Sequence, residues 1–180
     1  MSEGFFVKEI KLKNFRNYEN FLLDNLNDLN ILVGKNAIGK TNIIEAIQLL
    51  TQGISFRNLH TSELVNTNQS TQQAKISAKI FDAKTSSTHE IDMKILEGKK
   101  KFSINGKNTN LSALKGKFPS IVFTPDDLEL IKSTNTVRRN AFDNLGSQIS
   151  KDYYTVYKDY MRAIKQKNKL LKDGIWKSDG

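Results

Sequence analysis

The chain opens with Phe6, Lys8, Ile10 and Leu12 set against Val7, Glu9, Lys11 and Lys13, and this two-residue period predicts a β-strand. The strand runs into an Asn14-Phe15-Arg16-Asn17 turn and a second strand through Phe21, Leu22 and Leu23. Leu29-Asn30-Ile31-Leu32-Val33 is a short apolar run suited to a buried strand. From Thr41 to Gln52 the period becomes helical. Ile43, Ile44, Ile47 and Leu50 make one apolar face there, and Gly53 is the expected stop.

Polar residues dominate from Gly53 to Gln73, and the end of that stretch, Asn66 to Gln73, predicts a mobile loop. Two clean alternations follow, Ala74-Ile76-Ala78-Ile80 and Ile91-Met93-Ile95, joined by the polar Lys84 to Thr88 connection. A third short strand, Phe102-Ser103-Ile104, ends on Asn105-Gly106, a strong tight-turn pair. These strands predict an antiparallel meander. Ser120-Ile121-Val122-Phe123 predicts one more buried strand, ended by Thr124-Pro125. Asp126 or Asp127 is placed to cap a short helix through Ile131. Helices around Val137 to Leu145 and from about Lys151 to Lys172 complete the chain. The shift from strands to helices at Pro125 predicts one domain in two lobes, residues 1–125 and 126–180.

Composition narrows the class. With 180 residues, 38% hydrophobic and 26% charged, the chain matches an ordinary globular domain and not a disordered one. No run approaches the ~20 apolar residues of a membrane span, and the Met1-Ser2-Glu3-Gly4 start lacks a secretory signal, so a cytoplasmic, membrane-free setting is expected. The chain has no cysteine and only two histidines, His60 and His89, which excludes thiolate and histidine-rich metal sites. A net charge of +9 favours a polyanionic partner or a lysine-rich solvated surface, and the location of the charges must decide.

The strongest chemical signal is Gly34-Lys35-Asn36-Ala37-Ile38-Gly39-Lys40-Thr41, a complete G-x-x-x-x-G-K-[ST] phosphate loop between a predicted strand and a predicted helix. Gly34 and Gly39 give the backbone the freedom to turn and to approach a ligand closely. Successive N–H groups then point at phosphate oxygens, aided by the positive end of the following helix. Lys40 is expected to supply charge at the β- and γ-phosphates, and the Thr41 hydroxyl to ligate Mg²⁺. ATP is the expected nucleotide, because no Asn-Lys-x-Asp base reader of guanine-nucleotide proteins occurs. Asp143-Asn144-Leu145-Gly146 fits D-x-x-G, but it falls at the end of a predicted helix. No Walker B strand is evident. Ile80-Phe81-Asp82 is short and alternating, and the acids after Ile121-Val122-Phe123 come only beyond Thr124-Pro125.

Ile10 to Tyr18, then Asn30 to Ala37 with Gly39-Lys40-Thr41-Asn42, resembles the head of SMC-like ATPases. Gly53-Ile54-Ser55-Phe56-Arg57, Phe123 to Leu130, Val137-Arg138-Arg139 with Phe142-Asp143, and Tyr157 with Lys167 to Lys172 are similar to the RecF family of recombination mediators. The resemblance implies an α/β fold: a P-loop NTPase of ABC/SMC-head type, with a first lobe carrying an antiparallel meander and the start of a helical lobe. It implies an ATPase whose two heads sandwich ATP and clamp DNA, acting in gap repair and recombinase loading with RecO and RecR. Another SMC-like ATPase, anti-phage or nuclease-linked, is the alternative. A nucleotide-binding module without turnover is a third reading. No LSxGQ-like signature is found, so this chain alone is expected to bind ATP without turnover. About half of a complete member's length is present, which suggests an N-terminal piece.

The resemblance also places Arg16 near the nucleotide; otherwise it is a surface turn residue. Arg138 and Arg139 either contact a phosphate backbone or, preferably, pair with Asp126 or Asp127 within the lobe. On the last helix, Tyr153, Tyr157, Tyr160, Met161, Ile164 and Leu171 form a stripe expected to pack as core or coiled coil. Arg162, Lys165 and Lys169, among other cations of its remaining faces, are candidate DNA contacts.

Overall fold

The computed structural model describes residues 4–57, 59–67, 72–125, 127–128 and 132–173. The predicted alternations become strands: β1 (Phe5–Phe15), β2 (Tyr18–Leu23), β3 (Gln73–Asp82), β4 (Ser87–Leu96), β5 (Lys99–Ile104) and β6 (Lys107–Thr109). They form a six-stranded antiparallel sheet in the order β2-β1-β3-β4-β5-β6. Asn105 and Gly106 both take positive φ, 49° and 74°, as the tight β5–β6 turn requires.

One sheet face is apolar, as the alternation dictates. Ile10 and Leu12 of β1, Ile76 and Ala78 of β3, and Ile91, Met93 and Ile95 of β4 are all buried there. The helix α1 (Lys40–Gln52) completes the core with Ile43, Ala46, Leu49 and Leu50. Each such large apolar side chain contributes about 1.5–3 kcal/mol on burial. The buried face of α1 differs from the expected one: Ile44 is exposed and Ile47 half-buried, while Ala46 and Leu49 go inside. The predicted stripe ignored polar positions, yet Glu45, Gln48, Thr51 and Gln52 are buried too, because each finds a hydrogen-bond partner. Gly53 ends the helix at φ 73°, where an added Cβ would strike the Leu111 side chain at 2.5 Å.

A short 3₁₀ turn, Thr61–Leu64, interrupts the polar stretch and buries Leu64. Val65 bridges to Phe15, and Asn66 N–H donates to the Asn14 carbonyl, so the start of the predicted mobile loop is pinned to the end of β1. Residues 68–71 of that loop lie outside the described residues. So does part of the predicted helix after Pro125, residues 126 and 129–131; Asp127 instead accepts from Thr124 N–H and Oγ1.

Two expected strands do not form. Leu29, Ile31 and Val33 are 79%, 81% and 89% exposed, and no strand is assigned at 29–33. Ile121 and Phe123 are likewise 78% and 72% exposed without strand structure. Leu32 and Val122 are half-buried, Leu32 against the core, but a buried strand also needs partners to pair with, and none of the described strands pairs with either segment. Ser120 itself is well held. Its hydroxyl bonds Thr51, its carbonyl accepts from Gln52, and its N–H donates to Gln148.

After the single-turn α2 (Leu111–Leu114) come α3 (Asn135–Ile149) and α4 (Lys151–Lys172). Helix α3 outruns its predicted span at both ends, from the Thr134 cap to Ser150, which also caps α4 by accepting from Tyr153 N–H. The α4 stripe does not pack as core among the described residues. Tyr160, Met161 and Leu171 are exposed, and Tyr153 reaches back only to α3, donating to Asp143 and leaning on Gly146.

Candidate nucleotide site

The site grows out of α1. Gly39, at φ 111°, is its N-cap, and Asn42 N–H and Ile43 N–H turn back to the Gly39 carbonyl. The first turn holds no acidic residue, and Gly39 offers no capping side chain. The leading amides of α1 are therefore free of any side-chain cap and carry the helix's partial positive charge. The loop Gly34 to Ile38 is exposed, with Ala37 in the left-handed region at φ 65°. Lys40 Nζ arches over the loop and donates to the carbonyls of Gly34 (2.7 Å) and Lys35 (2.8 Å). Residues Gly34 to Thr41 thus fold round the Lys40 cation, which the Gly34 and Lys35 carbonyls hold.

The residues fit a nucleoside phosphate and its metal. The Thr41 hydroxyl is exposed at the start of α1. Among the described residues no group of three or more His, Asp or Glu side chains could hold a metal ion. A Mg²⁺ here would be bound through Thr41 and the phosphates it accompanies, the usual habit of that cation.

The loop is braced from below by the β1–β2 turn. Asn17 Nδ2 donates to the Ile38 carbonyl at 3.1 Å, and Asn42 Nδ2 donates to Asn17 Oδ1 at 2.8 Å. Gly39 is buried against Tyr18, whose hydroxyl would lie 2.5 Å from a Cβ at that position. Asn14 and Arg16 both adopt positive φ to make this turn.

Arg16 does not point into solvent as a turn residue would. Its Nε and Nη2 grip the fully buried Glu45 carboxylate at 2.9 and 2.8 Å, and its Nη1 donates to the Glu63 carbonyl. Glu45 also accepts from the Ser55 hydroxyl and, at 3.4 Å, from Arg57 Nη1. Arg57 in turn donates to Asn42 Oδ1 at 2.7 Å. A continuous polar chain therefore runs Arg16–Glu45–Arg57–Asn42–Asn17 to the loop. Sequence reasoning missed Glu45 and Asn17. The available signal was a lone carboxylate inside the Ile43 to Ile47 run, which helical burial forces to find a cation.

The other predicted site residues are scattered. Arg138 and Arg139 are exposed on α3, with Arg138 bonded to Asn135. Asp126, one of their proposed partners, lies outside the described residues. Arg162, Lys165 and Lys169 share one face of α4 along a groove of about 780 Å³, and Arg162 approaches Asp159 at 3.7 Å. None of them adjoins the phosphate loop.

Comparison with known proteins places this arrangement. The family model described as RecF/RecN/SMC N terminal domain matches residues 6–130, more than half of the chain. The DNA replication and repair protein RecF of Clostridium tetani (strain Massachusetts / E88) is 36% identical over 171 residues, covering 94% of this chain and 46% of the relative. The RecF of Alkaliphilus oremlandii (strain OhILAs) is 39% identical over 168 residues, covering 92% and 45%. The chain thus spans about half the length of the curated relatives it matches. A solved structure of the recombination mediator protein RecF with ATP, from the RecFOR pathway, has a TM-score of 0.87 at 30% identity, covering 99% of this chain and 48% of that one. A structure from work on ATP-driven dimerization and DNA-stimulated activation of SMC ATPases shares the fold, with a TM-score of 0.63 at 20% identity, covering 78% and 99%.

Proposed function

Because the chain belongs to the RecF/RecN/SMC N-terminal domain family, we propose that it is the ATP-binding part of a RecF-like DNA-binding ATPase of recombinational gap repair. One observation carries the reading: an intact phosphate loop with an uncapped helix start behind it, on a fold that matches an ATP-bound RecF at a TM-score of 0.87. Gly34 to Lys40 cradle the phosphates. Lys40, which bonds the Gly34 and Lys35 carbonyls, would supply charge at the β- and γ-phosphates, and Thr41 would hold Mg²⁺. Arg16 serves the same site by fixing the turn that braces Gly39, since its guanidinium is committed to Glu45 and the Glu63 carbonyl.

In the whole protein, ATP would join two such heads around DNA near single-strand/double-strand junctions, with RecO and RecR as partners in recombinase loading. Residues 1–125 form the nucleotide lobe and 126–180 begin the helical arm. Arg138, Arg139, Arg162, Lys165 and Lys169 are proposed DNA contacts. A cytoplasmic setting belongs to the same proposal, by likeness to the RecF relatives; among the described residues no helix is long and apolar enough to cross a membrane. The test is calorimetric titration of ATP·Mg²⁺ into the chain and into Lys40→Ala. Wild type should bind measurably and the variant should lose most of that affinity; equal binding by both refutes the site.

A further inference from the structure

The face of the sheet turned away from α1 carries an arrangement that stability alone does not favour. Lys13 of β1 stands directly opposite Lys75 of β3, Lys75 opposite Lys94 of β4, and Lys94 opposite Lys101 of β5. Four lysines thus form one unbroken row across four neighbouring strands. Like charges placed directly opposite in an antiparallel pair are destabilising, and here that cost recurs at three successive pairings. Among the described residues only Lys75 has a carboxylate within reach, Asp92 at 2.9 Å, and Lys13, Lys94 and Lys101 form no ion pair. Lys99 extends the same face in one flanking row, opposite Leu96, and Lys11 stands in the other, opposite Ser77. The row lines a shallow hollow of about 620 Å³, to which Gln73, Ser103 and Asn108 add neutral hydrogen-bonding groups.

We propose that this lysine row is a contact surface for the phosphate backbone of duplex DNA, distinct from the cations of α4. The proposal rests on the reading of the chain as DNA-binding and adds a second surface to it. Adjacent strands lie about 4.8 Å apart, so the row spans about 14 Å. One strand of a duplex advances about 3.4 Å per phosphate, so that length meets about four phosphates. A protein partner fits the chemistry less well: protein interfaces are depleted in lysine and enriched in aromatic residues and arginine, and the row contains neither. The absence of an aromatic ring from the row also disfavours single strands, which are held by base stacking. The aromatic pair of this face, Phe6 and Phe81, lies six residues further along β3, and Lys8 already covers Phe81 at 4.1 Å.

The experiment is fluorescence anisotropy of the chain with a short mixed-sequence duplex between 50 and 200 mM salt. Three variants are compared: Lys94→Gln/Lys101→Gln, Lys94→Arg/Lys101→Arg and, on α4, Lys165→Gln/Lys169→Gln. Losing two phosphate contacts should flatten the salt slope by about 1.8, so over that range wild-type affinity falls about twelvefold more than that of the glutamine variant. The arginine variant should keep both affinity and slope. The glutamine variant should melt no lower than wild type, because it relieves repulsion. An unchanged slope in the glutamine variant, or equal loss in the arginine variant, overturns the proposal. So does polyglutamate of matched charge competing as well as duplex. If only the α4 variant loses binding, the row fails while the DNA-binding reading stands; if wild type binds no duplex at 50 mM salt, both fall.

Discussion

Arg16→Ala is the most informative single change in the nucleotide site, because its cost follows from burial and geometry. Glu45 is 0% exposed, and two of its four hydrogen bonds come from Arg16, at 2.8 and 2.9 Å. Removing one partner of a buried ion pair usually costs ~3–5 kcal/mol, since the remaining charge has lost its compensation. Arg57 at 3.4 Å and the Ser55 hydroxyl stay behind, so the lower end, about 3 kcal/mol, is expected. That is a factor of about 10² in the folding equilibrium and a large share of the ~5–15 kcal/mol that holds a typical domain. Urea denaturation should show a midpoint lowered by roughly 1–2 M at an unchanged slope of about 2 kcal/mol/M. The loss should persist at 1 M salt, because a buried pair is poorly screened. Replacing the pair together, Arg16→Met with Glu45→Leu, should recover most of the stability. Arg16→Ala within about 0.5 kcal/mol of wild type, or a double variant worse than the sum of the singles, would refute the assignment of Arg16–Glu45 as the clamp on this turn.

Gly39→Ala should cost roughly 1–3 kcal/mol from backbone strain at φ 111° and weaken ATP binding; adding Tyr18→Ala should relieve the clash with the hydroxyl but not the strain, and full recovery of the melting temperature would contradict this. Burial of Asp92 raises its pKa, but the Ser77 hydroxyl bond and Lys75 outweigh it, so the folded value lies below the ordinary one. Its stabilisation is then present above the ordinary carboxylate range and lost as pH falls through the folded value. Asp92→Asn should accordingly cost roughly 1–2 kcal/mol at pH 7 and flatten the acid limb of a stability–pH curve. Steady-state ATP turnover by the 180-residue chain should stay at background and its mass should remain monomeric with ATP, because oriented transition-state donors of the kind worth ~10²–10³ in rate are not evident in it; turnover abolished by Lys40→Ala would show that an acid such as Asp127 completes the site.

The parts of the fold legible from sequence are those in which a local rule coincides with the tertiary environment. Strands β3 and β4 read cleanly because one face of each meets α1 and the other meets solvent, so period two survives in the residues themselves. The phosphate loop was legible for a related reason. Its chemistry is carried by backbone amides, so the sequence needs only the glycines, the lysine and the threonine that let the backbone adopt one shape. Asn17 was not legible. Its contact with the Ile38 carbonyl spans 21 positions, and nothing in an asparagine at a turn announces a distant partner.

Glu45 and the pair of unformed strands mark opposite failures of the same inference. Apolar periodicity states how much surface a segment seeks to bury, not what will cover it. On α1 the periodic reading chose Ile44 and Ile47 over Glu45 and Gln48, because it scored side chains one at a time. The fold buries the polar pair, since Arg16 and the Phe56 N–H lie where those side chains reach. At Leu29–Val33 and Ile121–Phe123 the apolar run is present but only Leu32 and Val122 find cover, so about four-fifths of the surface of Leu29, Ile31, Val33, Ile121 and Phe123 stays in water. Transfer of such a Leu, Ile, Val or Phe from water is worth about 1.5–3 kcal/mol, so both segments retain a driving force for burial. The direction of that force is fixed. A free strand edge supplied beside residues 29–33 would pair the residues leading directly into Gly34, and so fix the approach to the loop whose Gly34 and Lys35 carbonyls Lys40 now holds.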